Sequence, residues 1–155
     1  MKRVLAILVM LVLMVGMSYA ETETYWVLCN PTSFVNIRET PRNGNNKSGF
    51  LLYGDKVECD GKKRNGYWHI VNVSNEMGDG WVKGLYLVDE QPGEPIDDAY
   101  VVVANGRVAS RNGVNGKRTK WLKPDTVLNV YGVAGDWAVT DIGYVKVSFL
   151  EVVGN

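Results

Sequence analysis

From residue 25 onward the chain is written twice, and this internal repeat constrains its architecture more than any other feature. Val35-Asn36-Ile37-Arg38 corresponds to Val108-Ala109-Ser110-Arg111, Gly54-Asp55-Lys56-Val57 to Pro124-Asp125-Thr126-Val127, and Trp68 with Val71 to Trp137 with Thr140. The ends match most closely. Gly80-Trp81-Val82-Lys83-Gly84-Leu85-Tyr86-Leu87 aligns with Gly143-Tyr144-Val145-Lys146-Val147-Ser148-Phe149-Leu150, which keeps Gly, aromatic, Val, Lys, aromatic and Leu in register. The copies occupy residues 25–89 and 99–153. Between them, residues 90–98 are acidic, with two prolines and one glycine, and read as a short semi-stiff linker.

Within each unit the apolar residues form short runs rich in Val, Tyr, Trp and Ile, and no segment keeps a helical period for ten residues. Lys56-Val57-Glu58-Cys59-Asp60 alternates polar with apolar, and Val127 to Tyr131 repeats the pattern, as half-buried strands do. Turn pairs such as Asn65-Gly66, Asn115-Gly116 and Gly135-Asp136 separate the runs and supply positive φ at low cost. About five short strands in some 60 residues cannot cover both faces of a flat sheet, so each unit should roll into a small barrel. The expected fold class is all-β, two small barrels in tandem.

Met1-Lys2-Arg3, the uncharged run from Val4 to Met17 and the small residues of Ser18-Tyr19-Ala20 have the layout of a secretory signal peptide, residues 1–20, cleaved after Ala20. An uncleaved anchor is the alternative, but the apolar run is shorter than the ~20 residues that span a bilayer comfortably. Lipid attachment is not implied, because Leu28 precedes Cys29 where a lipidation signal wants a small residue. Loss of Lys2 and Arg3 from the 17 basic residues leaves 15 against 17 acidic ones, a net charge of −2. No global attraction for nucleic acid follows, and Lys62-Lys63-Arg64 and Lys117-Arg118 read as solvated turns. A secreted chain with two cysteines, Cys29 and Cys59, is expected to bridge them, adding roughly 3 to 4 kcal/mol to a small domain.

With these residues in hand, each unit resembles the bacterial SH3-like domain, a module of exported and wall-associated proteins. The first unit carries Val35-Asn36-Ile37-Arg38 followed by Pro41, then Gly54-Asp55-Lys56-Val57, Gly66-Tyr67-Trp68, Gly80-Trp81-Val82 and a closing Leu85-Tyr86-Leu87. The second departs: Ser110 stands where an apolar residue is expected, and Gly113 or Val114 where proline is usual. The resemblance implies a peptidoglycan stem or cross-bridge peptide as ligand, in a groove beside the first long loop. Asn36, Arg38, Tyr53, Trp68, Trp81 and Tyr86 are the candidates for that groove and its framework. Structural roles also suit several of them, since Arg38 can cross the barrel end onto carbonyls and Trp68 and Trp137 can pack in the core. Tyr25, Tyr53, Tyr67, Tyr86, Tyr100, Tyr131 and Phe149 are expected near strand ends, where rings can meet a ligand.

The inventory for catalysis is thin. His69 is the sole histidine, on a strand face that should point to solvent, which excludes multi-histidine zinc motifs. A Cys–His hydrolase using Cys29 or Cys59 with His69 is the enzyme alternative. It lacks a helix to lower the thiol pKa and an unassigned segment long enough for a catalytic domain. Asp97-Asp98 and Asp89-Glu90 lie in or beside the linker, where water keeps them ordinary. The expectation is a secreted, non-catalytic binding protein without metal or cofactor, whose partner is peptidoglycan. The rival is an envelope or extracellular protein adaptor with no wall binding.

Overall fold

A computed structural model describes residues 21–73 and 78–153; the expected signal peptide, residues 1–20, lies outside them. The described chain is all-β and forms two seven-stranded antiparallel sheets. The first holds β1 (Glu23–Val27), β2 (Val35–Arg38), β3 (Lys47–Leu51), β4 (Lys56–Arg64), β5 (Tyr67–Val73), β6 (Gly80–Lys83) and β7 (Leu87–Val88). The second holds β8 (Asp98–Val102), β9 (Val108–Arg111), β10 (Arg118–Leu122), β11 (Val127–Ala134), β12 (Trp137–Thr140), β13 (Gly143–Lys146) and β14 (Leu150–Val152). The strand orders are β3-β2-β6-β5-β4-β1-β7 and β10-β9-β13-β12-β11-β8-β14, one permutation used twice. A single 3-10 turn precedes the last strand of each, at Gly84–Tyr86 and Val147–Phe149.

Period-two patterning sets which side of each strand is buried. On β2, Val35 and Ile37 point inward and Asn36 and Arg38 outward; on β11, Leu128, Val130, Gly132 and Ala134 are the buried set. Each sheet wraps its own core, one around Val27, Ile37, Leu51, Val57, Ile70 and Val82, the other around Val102, Leu122, Leu128, Val130 and Val145. Where the second core has Ser110 in place of Ile37, the hydroxyl is fully buried and donates to the Ile142 carbonyl at 2.8 Å, so burial costs little. The shared glycine of the repeat has one cause in both copies. A Cβ on Gly80 would meet the Arg38 carbonyl oxygen at 2.9 Å, and one on Gly143 would run into the carbonyl oxygen of Arg111, the residue that corresponds to Arg38.

A third apolar cluster joins the two sheets. Leu28 and Val88 from the first unit pack with Ala134, Trp137, Val139 and Tyr144 from the second, flanked by Trp26, Tyr53, Tyr86, Val114 and Tyr131. Polar contacts lock it: the Tyr144 hydroxyl donates to the Leu28 carbonyl at 2.5 Å, and the Val114 amide to the Leu85 carbonyl at 2.7 Å. The approach is close enough that a Cβ on Gly132 would collide with the Tyr53 phenol, and one on Gly113 would lie 2.6 Å from the Leu85 carbonyl oxygen. The segment between the units does not hang as a tether. The Gly93 and Ile96 amides donate to the carbonyls of Val133 and Tyr131 on β11, at 3.2 and 3.0 Å, and the Tyr53 hydroxyl donates to the Gly93 carbonyl at 2.9 Å.

The expected bridge between Cys29 and Cys59 is not formed. Both are free thiols, buried in the first core. The strand register explains why: Cys59 lies opposite Glu23, so Cys29 is six positions further along the chain. The extended part of that run, Glu23 to Val27, alone spans about 13 Å, against the roughly 4 to 7 Å between Cα atoms that a disulfide tolerates.

Candidate functional site

The six sequence candidates divide among four places. Asn36, Arg38 and Tyr86 come together with Phe34 and Lys83 around a pocket of about 90 Å³ on the outer face of the first unit. The register makes this juxtaposition. Arg38 on β2 pairs with Trp81 on β6, so two steps along the antiparallel pair bring Asn36 beside Lys83, and all of these side chains point outward. The pocket wall carries two cations and no carboxylate. Arg38 also performs the structural task expected of it, since its Nη1 donates to the Gly44 carbonyl at 2.9 Å and to Asn46 Oδ1 at 3.0 Å, which fixes the β2–β3 loop. Its counterpart Arg111 donates to the Gly116 carbonyl at 2.8 Å, in the equivalent loop of the second unit. Lys83 and Phe34 were absent from the sequence candidates. The signal for Lys83 was available, because it is two residues from Trp81 and therefore on the same face of β6.

Tyr53 and Trp68 lie elsewhere. Tyr53 is half-buried between the two units, where burial raises its phenol pKa. Trp68 lines a larger cleft of about 490 Å³ between the units, with Trp137 among its other walls. The Tyr25 ring meets Trp68 edge-on at 4.8 Å, and Lys63 Nζ lies 3.7 Å from the Trp68 ring centre. Trp81 lines neither space; its ring packs on His69 at 4.9 Å. Several aromatics expected near ligand-accessible strand ends are instead covered by protein. Tyr67 is buried, and Tyr53, Tyr86 and Tyr131 pack against the inter-unit cluster.

His69 is held in a hydrogen-bonded cluster around Asp60 and is not a solvated ring. His69 Nδ1 lies 2.9 Å from Asp60 Oδ2, and Lys62 Nζ reaches the same oxygen at 2.7 Å, with the Asp60 side chain only 8% exposed. Desolvation acts to raise the Asp60 pKa, but the hydrogen bonds from Lys62 and His69 outweigh it and hold the carboxyl at about 2, against an ordinary 3.8. A carboxyl with a depressed folded pKa contributes stability that is present above pH ~4 and is lost as pH falls toward 2. Acid titration of the wild type should therefore show a loss of stability in that window that is reduced in Asp60→Asn, followed by denaturant midpoints at pH 5, 4, 3 and 2.5. Equal pH slopes in the two proteins would contradict the assignment.

Cys59 and His69 do not form a dyad. Cys59 pairs with Ile70 across β4 and β5 and points into the core with it, whereas Asp60 and His69 share the opposite face. Burial, reinforced by Asp55, pushes the Cys29 thiol up to about 11; burial likewise pushes Cys59 up to about 12, against a partial lowering by Lys63. Neither is a thiolate at neutral pH. Among the described residues no group of three His, Cys, Asp or Glu side chains is placed to hold a metal ion.

The chain matches no protein-family model and no curated protein. Among solved structures it is similar to NlpC1 from Trichomonas vaginalis, at 16% identity and a TM-score of 0.38, over 86% of this chain and 47% of that one. NlpC2 from the same organism aligns at 16% identity and a TM-score of 0.36, over 86% of this chain and 49% of that one. The chain spans about half the length of these solved structures.

Proposed function

We propose that this chain is an exported, non-catalytic binding protein of the bacterial SH3-like kind that holds a cell-wall peptide on its first unit. The observation that carries the reading is the pocket where Asn36, Arg38 and Tyr86 meet Phe34 and Lys83. A wall that contains two cations, an amide and two aromatic rings, with no carboxylate, complements a peptide carboxylate flanked by small apolar groups. Its size fits one such group and not a whole peptide, so the rest of the ligand lies across the surface where Phe34 is 56% and Phe50 42% exposed, their rings 5.9 Å apart. The lack of catalysis is supported by the opposed facing of Cys59 and His69 and by the suppressed ionisation of both thiols.

The test is co-sedimentation of the secreted chain with purified peptidoglycan sacculi at low salt. The wild type should pellet, and Lys83→Glu, which reverses a charge on the pocket rim without touching the core, should pellet at least threefold less. Wild-type protein that stays in the supernatant while a wall-binding control pellets would defeat the reading. Retention by Lys83→Glu at the wild-type level would remove this pocket from it.

A further inference from the structure

The second unit departs from the first at two adjacent positions in the loop between β9 and β10, and both departures face the first unit. Arg38 and Arg111 correspond in the repeat, so Thr40 and Pro41 correspond to Gly113 and Val114. Proline has no amide hydrogen. Val114 has one, and donates it to the Leu85 carbonyl at 2.7 Å. Gly113 leaves the space that Leu85 occupies, since a Cβ there would lie 2.5 Å from Leu85 Cδ1 and 2.6 Å from the Leu85 carbonyl oxygen. The loop is itself braced: Arg111 Nη1 donates to the Gly116 carbonyl at 2.8 Å, and the Gly116 amide to the Gly113 carbonyl at 2.9 Å.

Leu85 is the middle residue of the 3-10 turn Gly84–Tyr86, and this turn separates two walls of the carboxylate pocket, Lys83 before it and Tyr86 at its end. Each residue of the turn is held from a different side. The Gly84 amide donates to the Gly66 carbonyl at 3.0 Å, Leu85 is held by Val114, and the Tyr86 carbonyl accepts from the Leu28 amide at 2.9 Å. Leu28 in turn accepts the Tyr144 hydroxyl, so the second unit grips the turn directly at Leu85 and through Leu28 at Tyr86. The Tyr86 ring lines the pocket and also packs against the inter-unit cluster, with the Tyr144 ring centre 6.4 Å away. The second unit does not repeat the polar wall at its own corresponding positions. Ala109 stands for Asn36, Phe149 for Tyr86, and Lys146 is engaged by Asp136 at 2.8 Å.

We infer that the β9–β10 loop is a positioning element for the first unit's pocket, in which Val114 and Gly113 fix the turn so that Tyr86 is in place before a peptide carboxylate arrives. The inference rests on the reading of that pocket as a carboxylate site. A wall set in advance spares the ordering of one aromatic side chain, worth about fivefold in affinity. Val114→Pro removes the donor and restores the residue of the first unit, whereas Val114→Ala keeps the donor and trims the side chain. Gly113→Ala presses on the Leu85 carbonyl with the Val114 amide intact, a second route if the proline variant fails to fold. Two readouts are taken on the isotope-labelled secreted chain. One is hydrogen exchange of the Leu87 amide, which closes the turn on the Gly84 carbonyl. The other is affinity for the dipeptide acetyl-Ala-Ala against its C-terminal amide, followed at the Asn36 and Lys83 amides. Val114→Pro and Gly113→Ala should speed the exchange about tenfold and weaken acetyl-Ala-Ala about fivefold, and Val114→Ala should stay within about twofold of wild type in both. Wild-type exchange in Val114→Pro and Gly113→Ala, or equal losses in Val114→Ala, would overturn the clamp. Faster exchange with unchanged affinity would overturn its role in placing Tyr86. Equal binding of the dipeptide and its amide by the wild type would instead defeat the carboxylate reading of the pocket, and the exchange measurement would still decide whether the loop holds the turn.

Discussion

Tyr144→Ala should destabilise the whole described chain by about 3–5 kcal/mol, the scale for removing a buried aromatic side chain, and lower its thermal midpoint by on the order of 10 °C. Tyr144 is 5% exposed and belongs to the cluster between the units, not to the core of the sheet that carries it. Its hydroxyl donates to the carbonyl of Leu28, 116 residues away in sequence, and Leu28 is fully buried. Burial, then the neighbouring Cys29 and Tyr86, pushes the phenol pKa far up, so the group stays a neutral donor at any pH the protein meets. Tyr144→Phe keeps the ring and strands the Leu28 carbonyl, a cost of about 1–3 kcal/mol. Calorimetry should show one transition for the wild type, with Tyr144→Phe lying between it and Tyr144→Ala. Two resolved transitions in the wild type, with only the higher or the lower one shifted by the substitutions, would mean that the units do not depend on each other.

Gly143→Ala should cost more than 2 kcal/mol, and Gly106→Ala in the same unit less than about 0.5. At Gly143 φ is +121°, a conformation essentially reserved for glycine, and a Cβ would also press on the Arg111 carbonyl oxygen and lie 2.9 Å from Ser110 Oγ. Neither obstacle is a flexible side-chain end. The carbonyl belongs to β9, and the Ser110 hydroxyl is committed to the Ile142 carbonyl, so relief requires β9 and β13 to part. Gly106 has open space around it. Denaturant midpoints of the two variants at one pH test the contrast, and near-equal losses would show that the close approach is not the reason for glycine.

Much of this was legible in the sequence because it rests on period and on turn chemistry. The alternation in Val127 to Ala134 gives the buried set of β11 directly, and the paired glycines at 80 and 143 mark the same backbone approach in both sheets. What a strand pattern cannot state is what covers its outward face. Trp81 and Tyr144 align in the repeat, yet one ring lies against His69 and the other seals the junction with the first unit. Register was equally hidden. Alternation shows that Cys29 and Cys59 are inward but not that six positions separate them, and the shifts between Glu58, Cys59 and Lys63 obscure the pairing of β4 with β5 that brings Asp60 to His69. The prolines and acids of residues 90–98 suggested a tether because composition does not reveal that main-chain amides there are taken up by β11. For the candidate site, the outward placement of Asn36 and Arg38 followed from the pattern, whereas the cleft with Trp68 and Trp137 in its lining exists only once the two units are docked.

The lock between the Tyr144 hydroxyl and the Leu28 carbonyl also bears on how far the repeat is modular. A sequence written twice suggests parts that can be cut apart, reordered or multiplied. Here each half holds only part of a shared seam: the first unit supplies the acceptor and the aliphatic side chains of Leu28 and Val88, the second supplies the donor and the ring of Tyr144 with Trp137. Expressed alone, either half would present that seam to water as a contiguous sticky face. The pair, rather than the single repeat, is therefore the unit in which this seam is covered.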